Sequence, residues 1–266
     1  MNRDAVSESK LTALLRKEAF FSVAYCYDFV TSTNDVAKEL AQNGATQGTV
    51  VLAEGQTNGR GRVGRRFYSP DGTGLYMSLI LRPKKHQQDA GLLTACGAVA
   101  VHRAIYELTG VQTDIKWVND LLCQERKLCG ILAESQFAPD GSFSYVILGI
   151  GVNLAPPEGG YADAIQKIAT SLDEICGKAP DRLELCAAIL KHWFCFYDAL
   201  PCVDFLQVYR DCSCVLGKTI SYIKSGASFV GKAVSIDECA RLVIVRNSGE
   251  TDVLETGEVT MVRPVL

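Results

Sequence analysis

Residues 115–150 read IKWVNDLLCQERKLCGILAESQFAPDGSFSYVILGI and contain three runs rich in apolar residues, separated by short links rich in polar residues. The runs span residues 115–122, 128–135 and 143–150, and each has the length and composition of a strand. Links this short cannot hold a crossover helix, so the three strands are predicted to pair antiparallel. The stretch therefore favours a sheet that is largely antiparallel.

Strand and helix patterns continue on both sides of this stretch. Further strands are predicted at residues 23–29, 49–54 and 75–81, and helices at residues 89–108, 181–200 and 205–214. Another helix is predicted to begin at Ser32, and the segment before Ser32 is expected to be a capping helix. After Leu216 the pattern changes to short strands at residues 219–223, 228–236, 242–246 and 259–262. We expect a small β-barrel there, and two domains at residues 1–215 and 216–266.

Composition and charge exclude several classes of protein. The chain has 266 residues, of which 48% are hydrophobic, so it is not a disordered protein. With 27 Lys and Arg against 30 Asp and Glu, it offers no overall cationic field, and DNA is not expected as a partner. There is no signal peptide pattern and no run long enough to span a membrane. The odd count of 11 cysteines indicates a reducing compartment, so we expect a cytoplasmic protein.

The run Gly59-Arg60-Gly61-Arg62-Val63-Gly64-Arg65 combines flexible backbone with positive charge. Its glycines let the backbone approach a ligand, and its arginines suit an anionic ligand that carries phosphate. The run lacks the Lys-Ser/Thr pair of a Walker A loop, and its spacing is wrong for a dinucleotide fingerprint. A solvated or RNA-binding basic loop is the alternative interpretation.

Two neighbouring groups suit a neutral ligand that resembles urea or an amide. The Gln56 side chain both donates and accepts hydrogen bonds, and the hydroxyls of Ser32 and Thr33 do the same at a helix start. The alternative for Ser32 and Thr33 is an ordinary N-cap.

Lys116-Trp117-Val118-Asn119-Asp120 provides an ammonium, an amide and a carboxylate at a predicted strand end. On one strand, residues 116, 118 and 120 share a face, which would bring a phosphate-binding cation close to a carboxylate for Mg²⁺. A surface salt bridge is the alternative. The next strand begins with Lys127, and Gly130 leaves room for a ligand against its backbone.

In this order the motifs resemble those of the biotin protein ligases. The resemblance covers about residue 23 to the end and includes STN at 32–34, Gln56, GRGRVGR, FYSP at 67–70, KWVND, KLCGILAES and GVN at 151–153. It implies an α+β fold, in which a mixed, largely antiparallel sheet with helices, related to the lipoate ligases, is followed by an SH3-like barrel. The family makes biotinyl-5'-AMP from biotin and ATP with Mg²⁺, then transfers biotin to a lysine of a biotin carboxyl carrier domain.

The resemblance also implies roles for individual residues. Biotin-binding roles are implied for Ser32, Thr33, Gln56, Gly59, Arg60, Arg62, Lys127 and Gly130. Nucleotide-binding roles are implied for Arg62, Arg65, Phe67, Lys116, Asn119 and Asn153, and catalytic roles for Arg62, Lys116, Asp120 and Lys127. Asp120 is the expected Mg²⁺ ligand and the candidate for assisting the acceptor lysine.

The chain departs from the family pattern at two positions. Val118 stands where Pro is common, which is expected to loosen the turn. Phe67 stands where an adenine-packing Trp is common, and because Phe can still stack, weaker packing and the same chemistry are expected. The 31 residues before Ser32 are too few for the DNA-binding domain of some bacterial members. Repression of its own genes is therefore not expected. The expected partner is the biotin carboxyl carrier domain of a biotin-dependent carboxylase, with no DNA and no membrane partner, and the chain is expected to be a monomer or a homodimer.

Two other functions stay open at this point. A lipoate or octanoate ligase shares the fold and the adenylation step, but its apolar pocket has little use for Gln56 and the Ser32-Thr33 hydroxyls. A non-catalytic RNA-binding module is the second alternative, and it predicts binding that weakens steeply with salt.

Overall fold

The computed structural model describes residues 6–84, 89–200 and 202–262. Its main feature is a seven-stranded sheet in the order β1-β2-β3-β7-β6-β5-β4. The strands are β1 Ala24–Val30, β2 Val50–Gln56, β3 Gly74–Leu81, β4 Asp114–Lys116, β5 Asp120–Cys123, β6 Arg126–Phe137 and β7 Phe143–Asn153. Strands β1 and β2 pair in parallel, and the other neighbours pair antiparallel. The predicted antiparallel pairing around residues 115–150 is confirmed.

Helices cover both faces of this sheet. They are α1 Glu8–Leu15, α2 Thr33–Gln42, α3 Ala90–Thr109, α4 Asp163–Gln166, α5 Leu172–Cys176, α6 Arg182–Ala199 and α7 Phe205–Asp211. On one face the strands pack in a large apolar core with α3 and α6, and on the other Ile80 packs with Ala37 and Ala41 of α2. Because both faces are covered, all eight residues of β3 are buried. In the described part of the chain, no helix is both long and apolar enough to cross a bilayer.

The prediction of one continuous strand over residues 115–122 is wrong. The structure forms a hairpin of β4 and β5, in which Lys116 lies opposite Asp120 and the buried Val118 lies in the turn. The turn is held from outside the hairpin. Trp117 Nε1 donates to the Ala240 carbonyl at 2.9 Å, Tyr209 Oη donates to the Val118 carbonyl at 2.9 Å, and the peptide between Trp117 and Val118 is cis. Lys116 and Asp120 still share a face, because they are cross-strand partners.

A second sheet follows α7. Its strands are β8 Thr219–Lys224, β9 Ala227–Ile236, β10 Leu242–Arg246, β11 Thr251–Leu254 and β12 Val259–Met261. They pair antiparallel in the order β11-β10-β9-β8-β12, which is consistent with the expected SH3-like barrel. The second sheet begins at Thr219, close to residue 216, where the domain boundary stays a prediction.

Candidate active site

A cleft of about 460 Å³ lies beside the start of α2, the end of β2 and the middle of β6 and β7. Seven of the eight predicted biotin-binding residues line it: Ser32, Thr33, Gln56, Arg60, Arg62, Lys127 and Gly130. We call this the inner cleft. Its other lining residues include Met77, Ile131, Leu132 and Ile150, which give it an apolar wall.

The polar end of the inner cleft is an ordered hydrogen-bond network. Gln56 Oε1 accepts from the Thr33 backbone N at 2.9 Å and from Thr33 Oγ1 at 3.2 Å, and Gln56 Nε2 donates to Ser69 Oγ at 2.8 Å. Ser32 Oγ accepts from the Asn34 backbone N at 3.2 Å, so Ser32 is also the N-cap of α2. These contacts fix the orientation of groups that can both donate to and accept from a polar ligand.

Two buried polar side chains behind this network were not predicted as site residues. Ser78 Oγ lies 2.8 Å from Thr33 Oγ1 and 2.6 Å from Asn34 Oδ1, and both Ser78 and Asn34 are buried. A signal was present, because Ser78 is the small polar residue in the run LYMSLIL, whose other members are aliphatic or aromatic or are Met. A buried hydroxyl needs a hydrogen-bond partner, and here that partner is the ligand-facing network.

Glycines make room for the side chains that surround the inner cleft. Gly130 and Gly151 are cross-strand partners on β6 and β7, and the Phe67 ring packs over both. A Cβ at Gly151 would lie 2.6 Å from the Phe67 ring, and a Cβ at Gly149 would lie 2.2 Å from Asn34 Oδ1. Both distances are below van der Waals contact, so a larger residue at Gly151 would displace the Phe67 ring, and one at Gly149 would displace the Asn34 amide.

A second cleft, of about 740 Å³, adjoins the first and lies between the arginine loop, the β4–β5 hairpin and residues 257–260. We call this the outer cleft. It is lined by five of the six predicted nucleotide-binding residues, Arg62, Arg65, Phe67, Lys116 and Asn119, and by Asp120. The two clefts share Gly61, Arg62, Phe67, Asn119 and Lys127. A ligand that spans both would therefore be contacted at its centre by Arg62 and Lys127.

The arginine loop, residues 59–67, folds back on itself. The Gly61 N donates to the Arg65 carbonyl at 2.8 Å, and the Phe67 N donates to the Gly59 carbonyl at 2.8 Å. Gly59 lines neither cleft, but a Cβ there would lie 2.5 Å from the Phe67 carbonyl oxygen. Val63, at the loop tip, has φ 52°, which is unusual for a β-branched residue.

Arg60 and Arg65 have carboxylate partners. The Arg60 guanidinium binds Asp35 Oδ1 at 2.6 Å and Glu134 Oε1 at 2.9 Å, and its hydrogen bond to Asp35 raises the pKa of Arg60. Arg65 Nη2 binds Glu258 Oε2 at 2.6 Å in an exposed pair.

Arg62 has neutral partners instead. It donates to Asn119 Oδ1 at 3.2 Å, to the Gly257 carbonyl at 3.0 Å and to Thr256 Oγ1 at 2.5 Å. Burial lowers the pKa of Arg62, but an arginine stays protonated near neutral pH. The segment between β11 and β12 thus holds a charged residue at the junction of the clefts.

Lys127 and Asp120 form an ion pair at this junction. Lys127 Nζ lies 2.7 Å from Asp120 Oδ1 and 5.9 Å from the centre of the Phe67 ring. Among the residues that the structure describes, no group of three or more His, Cys, Asp and Glu could hold a metal ion. A lone carboxylate such as Asp120 can still ligate Mg²⁺ that is carried by nucleotide phosphates.

Comparisons with known proteins converge on one family. The Biotin/lipoate A/B protein ligase family matches residues 26–153. The bifunctional ligase/repressor BirA of Bacillus subtilis is 37% identical over 251 residues, which cover 92% of this chain and 76% of that protein. The chain belongs to this family.

Two further relatives show that the chain is similar to the biotin branch of the ligase family. The biotin–[acetyl-CoA-carboxylase] ligase of Mycobacterium tuberculosis is 31% identical over 87% of this chain and 86% of that protein. The biotin protein ligase of Aquifex aeolicus, solved in complex with biotin and ATP, has a TM-score of 0.74 and 28% identity over 91% of this chain and 100% of that chain. The chain is therefore an ATP-dependent ligase of the biotin protein ligase family, and the predicted fold class is confirmed.

In this ligase one predicted nucleotide-binding residue lies outside both clefts. Asn153 Nδ2 donates to the Thr170 carbonyl at 2.9 Å and to the Lys127 carbonyl at 3.4 Å, so its amide supports the backbone next to Lys127. The role of Asn153 toward the nucleotide stays a prediction, as do the other residue roles.

Proposed function

We propose that the chain joins biotin to ATP to form biotinyl-5'-AMP and then transfers biotin to one lysine of a biotin carboxyl carrier domain. The observation that carries this proposal is the pair of adjoining clefts. One has a polar end with ordered donors and acceptors and an apolar wall, and the other is lined by Arg62, Arg65 and Lys116. This pairing fits a small molecule with a ureido ring next to a nucleotide.

The inner cleft orients biotin. Thr33 and Gln56 provide hydroxyl and amide groups for the ureido ring, with Ser32 and the backbone of Gly59 and Arg60 nearby. The apolar wall suits the thioether ring and the aliphatic chain of biotin. In this orientation the biotin carboxylate points to the junction of the clefts, where Lys127 and Arg62 lie. A lipoyl group has no ureido ring, so the network supports biotin over lipoate.

The outer cleft serves adenylation. The biotin carboxylate attacks the α-phosphate of ATP, an anhydride bond forms and pyrophosphate leaves. Arg62, Lys116 and Lys127 stabilise the negative charge that develops during this step. Phe67 packs against the nucleotide, and Asp120 is the residue that would hold Mg²⁺, which neutralises phosphate charge when bound.

Transfer requires a neutral acceptor lysine. Bringing a lysine of pKa ~10.4 to its neutral form at pH 7 costs roughly 4 to 5 kcal/mol. Asp120 lies at the outer cleft and is the candidate to assist loss of that proton. For this step the ion pair between Asp120 and Lys127 must open, so that the Asp120 carboxylate can contact the acceptor lysine. The amine then attacks the biotinyl carbonyl, and AMP leaves.

The test is mass spectrometry of a purified biotin carboxyl carrier domain after incubation with the protein, biotin and MgATP. We expect one added biotinyl group on one lysine, and none when ATP is omitted. Control reactions replace biotin with lipoate, or replace the acceptor lysine by arginine. Lipoylation in preference to biotinylation, or no modification at all, would contradict the proposal.

A further inference from the structure

Glu134 lies on β6 close to the inner cleft but lines neither cleft. Both of its carboxylate oxygens have partners. Oε1 binds Arg60 Nη2 at 2.9 Å, and Oε2 accepts from Asn34 Nδ2 at 2.8 Å. Glu134 therefore joins the arginine loop to the first turn of α2 through a single side chain.

The Asn34 end of this connection is rigid. Asn34 is 4% exposed, its Oδ1 lies 2.6 Å from the buried Ser78 Oγ, and the missing Cβ of Gly149 provides the space for it. Because its Oδ1 accepts from Ser78 and its Nδ2 donates to Glu134, the Asn34 amide has a single orientation. Glu134 thus presents Oε1 to Arg60 from a fixed point on the sheet.

The Arg60 end lies in a chain segment that needs such an anchor. Arg60 stands between Gly59 and Gly61, whose backbones have high conformational freedom. Its other partner, Asp35, is 38% exposed, so water and salt weaken that contact. Glu134, at 22% exposure, is the better shielded of the two carboxylates.

We propose that Glu134 is a positioning residue for biotin, which acts through Arg60 and Asn34 to hold the base of the arginine loop beside the inner cleft. This inference rests on the proposed function. Glu134 sets the geometry around Thr33 and Gln56 and stays clear of the nucleotide. Its loss raises the KM for biotin and leaves turnover at saturating biotin largely intact.

The first experiment measures biotin-dependent pyrophosphate release by the Glu134→Gln variant of the full chain. The new amide keeps the size of the side chain and an oxygen for Asn34 but has no charge for Arg60. We expect the KM for biotin to rise about tenfold, while kcat and the KM for ATP stay within about twofold. Glu238→Gln is the matched control, because Glu238 binds Arg210 at 2.8 Å away from both clefts.

A double-mutant cycle separates positioning from general damage. If Glu134 acts through Arg60, the KM of the double variant Glu134→Gln/Arg60→Ala equals that of Arg60→Ala alone. Additive effects, or a loss of kcat equal to the loss of kcat/KM, overturn the inference. If Glu134→Gln does not fold, Arg60→Ala removes the exposed side of the same contact, and an unchanged KM for biotin then overturns the inference. A parent protein without biotin-dependent pyrophosphate release contradicts the proposed function itself.

Discussion

Arg60 and Arg62 lie two residues apart in one loop, yet their surroundings are opposite in kind. Arg60 binds two carboxylates, those of Asp35 and Glu134. Arg62 is more buried and donates only to neutral oxygens, those of Asn119, Thr256 and Gly257, as far as the described residues show. Among the described residues, the charge of Arg60 is paired directly with carboxylates, whereas Asp120 and Glu258 act on the charge of Arg62 only from a distance.

This difference separates a structural cation from a ligand-binding one. A bound anion adds little interaction free energy to a cation that is already paired with carboxylates. It adds much more to a half-buried cation whose direct partners are neutral. The lowered pKa of Arg62 has the same cause, since burial disfavours its charged form. We therefore expect Arg60 to act on loop geometry and biotin, and Arg62 to act on the phosphate of the adenylate.

Lys127 does not fit this division, because it has a carboxylate partner and also lines both clefts. Its ion pair with Asp120 must open to serve the reaction. We expect Lys127→Ala to slow biotin-dependent pyrophosphate release about a hundredfold, which corresponds to ~3 kcal/mol of lost transition-state stabilisation. The measurement combines release kinetics with thermal melting of the same samples.

Lys191→Ala is the matched control for Lys127→Ala, since Lys191 is exposed and binds Glu18 outside the clefts. An unchanged rate in Lys127→Ala, or a loss fully explained by a collapsed melting transition, would remove Lys127 from the catalytic group. In that case the cations of this site that form ion pairs with carboxylates of the chain, Lys127 included, would have a structural role.

Much of the fold could be predicted from local patterns. Strands β6 and β7 and helices α3 and α6 were predicted within a few residues, because their apolar spacing is long and regular. Helix α5 was missed because it has five residues, although Ser171 and Glu174 form a capping box and Gly177 ends it in the left-handed region. The break between β4 and β5 depends on Trp117 and Tyr209 contacts with distant segments, which no local pattern contains.

The candidate site was predictable where ligand-facing residues form short motifs. The contacts of the supporting residues were not predictable, even where a residue such as Ser78 stands out in its strand, because these residues are distant in sequence from what they support. Ser78 is 45 residues from Thr33, Glu134 is 100 residues from Asn34, and Thr256 is 194 residues from Arg62. The folded chain brings these pairs together, and a single sequence contains no record of that proximity.

Arg62 tests the comparison directly. We expect Arg62→Ala to release biotinyl-AMP about thirtyfold faster than the parent, because hydrogen bonds to a charged group contribute about 1.5 to 3 kcal/mol. The escaped anhydride then acylates lysines of a bystander protein such as albumin, which mass spectrometry detects. Arg60→Ala is the matched control and is expected to label albumin far less. Equal labelling by both variants would mean that carboxylate pairing does not separate the two roles.

Arg65 tests whether the burial of an arginine determines its role. Its side chain is 71% exposed and pairs with Glu258, so salt screens its attraction for phosphate. We expect Arg65→Ala to raise the KM for ATP about threefold at ~0.1 M salt, where charges act over about 10 Å, and to match the parent at ~1 M salt, where that length is about 3 Å. The half-buried Arg62 should show a loss that persists at both salt concentrations. If the effect of Arg65→Ala also persists at ~1 M salt, Arg65 contacts the nucleotide directly once the loop closes, and burial in the ligand-free chain is a poor guide to which arginine binds phosphate.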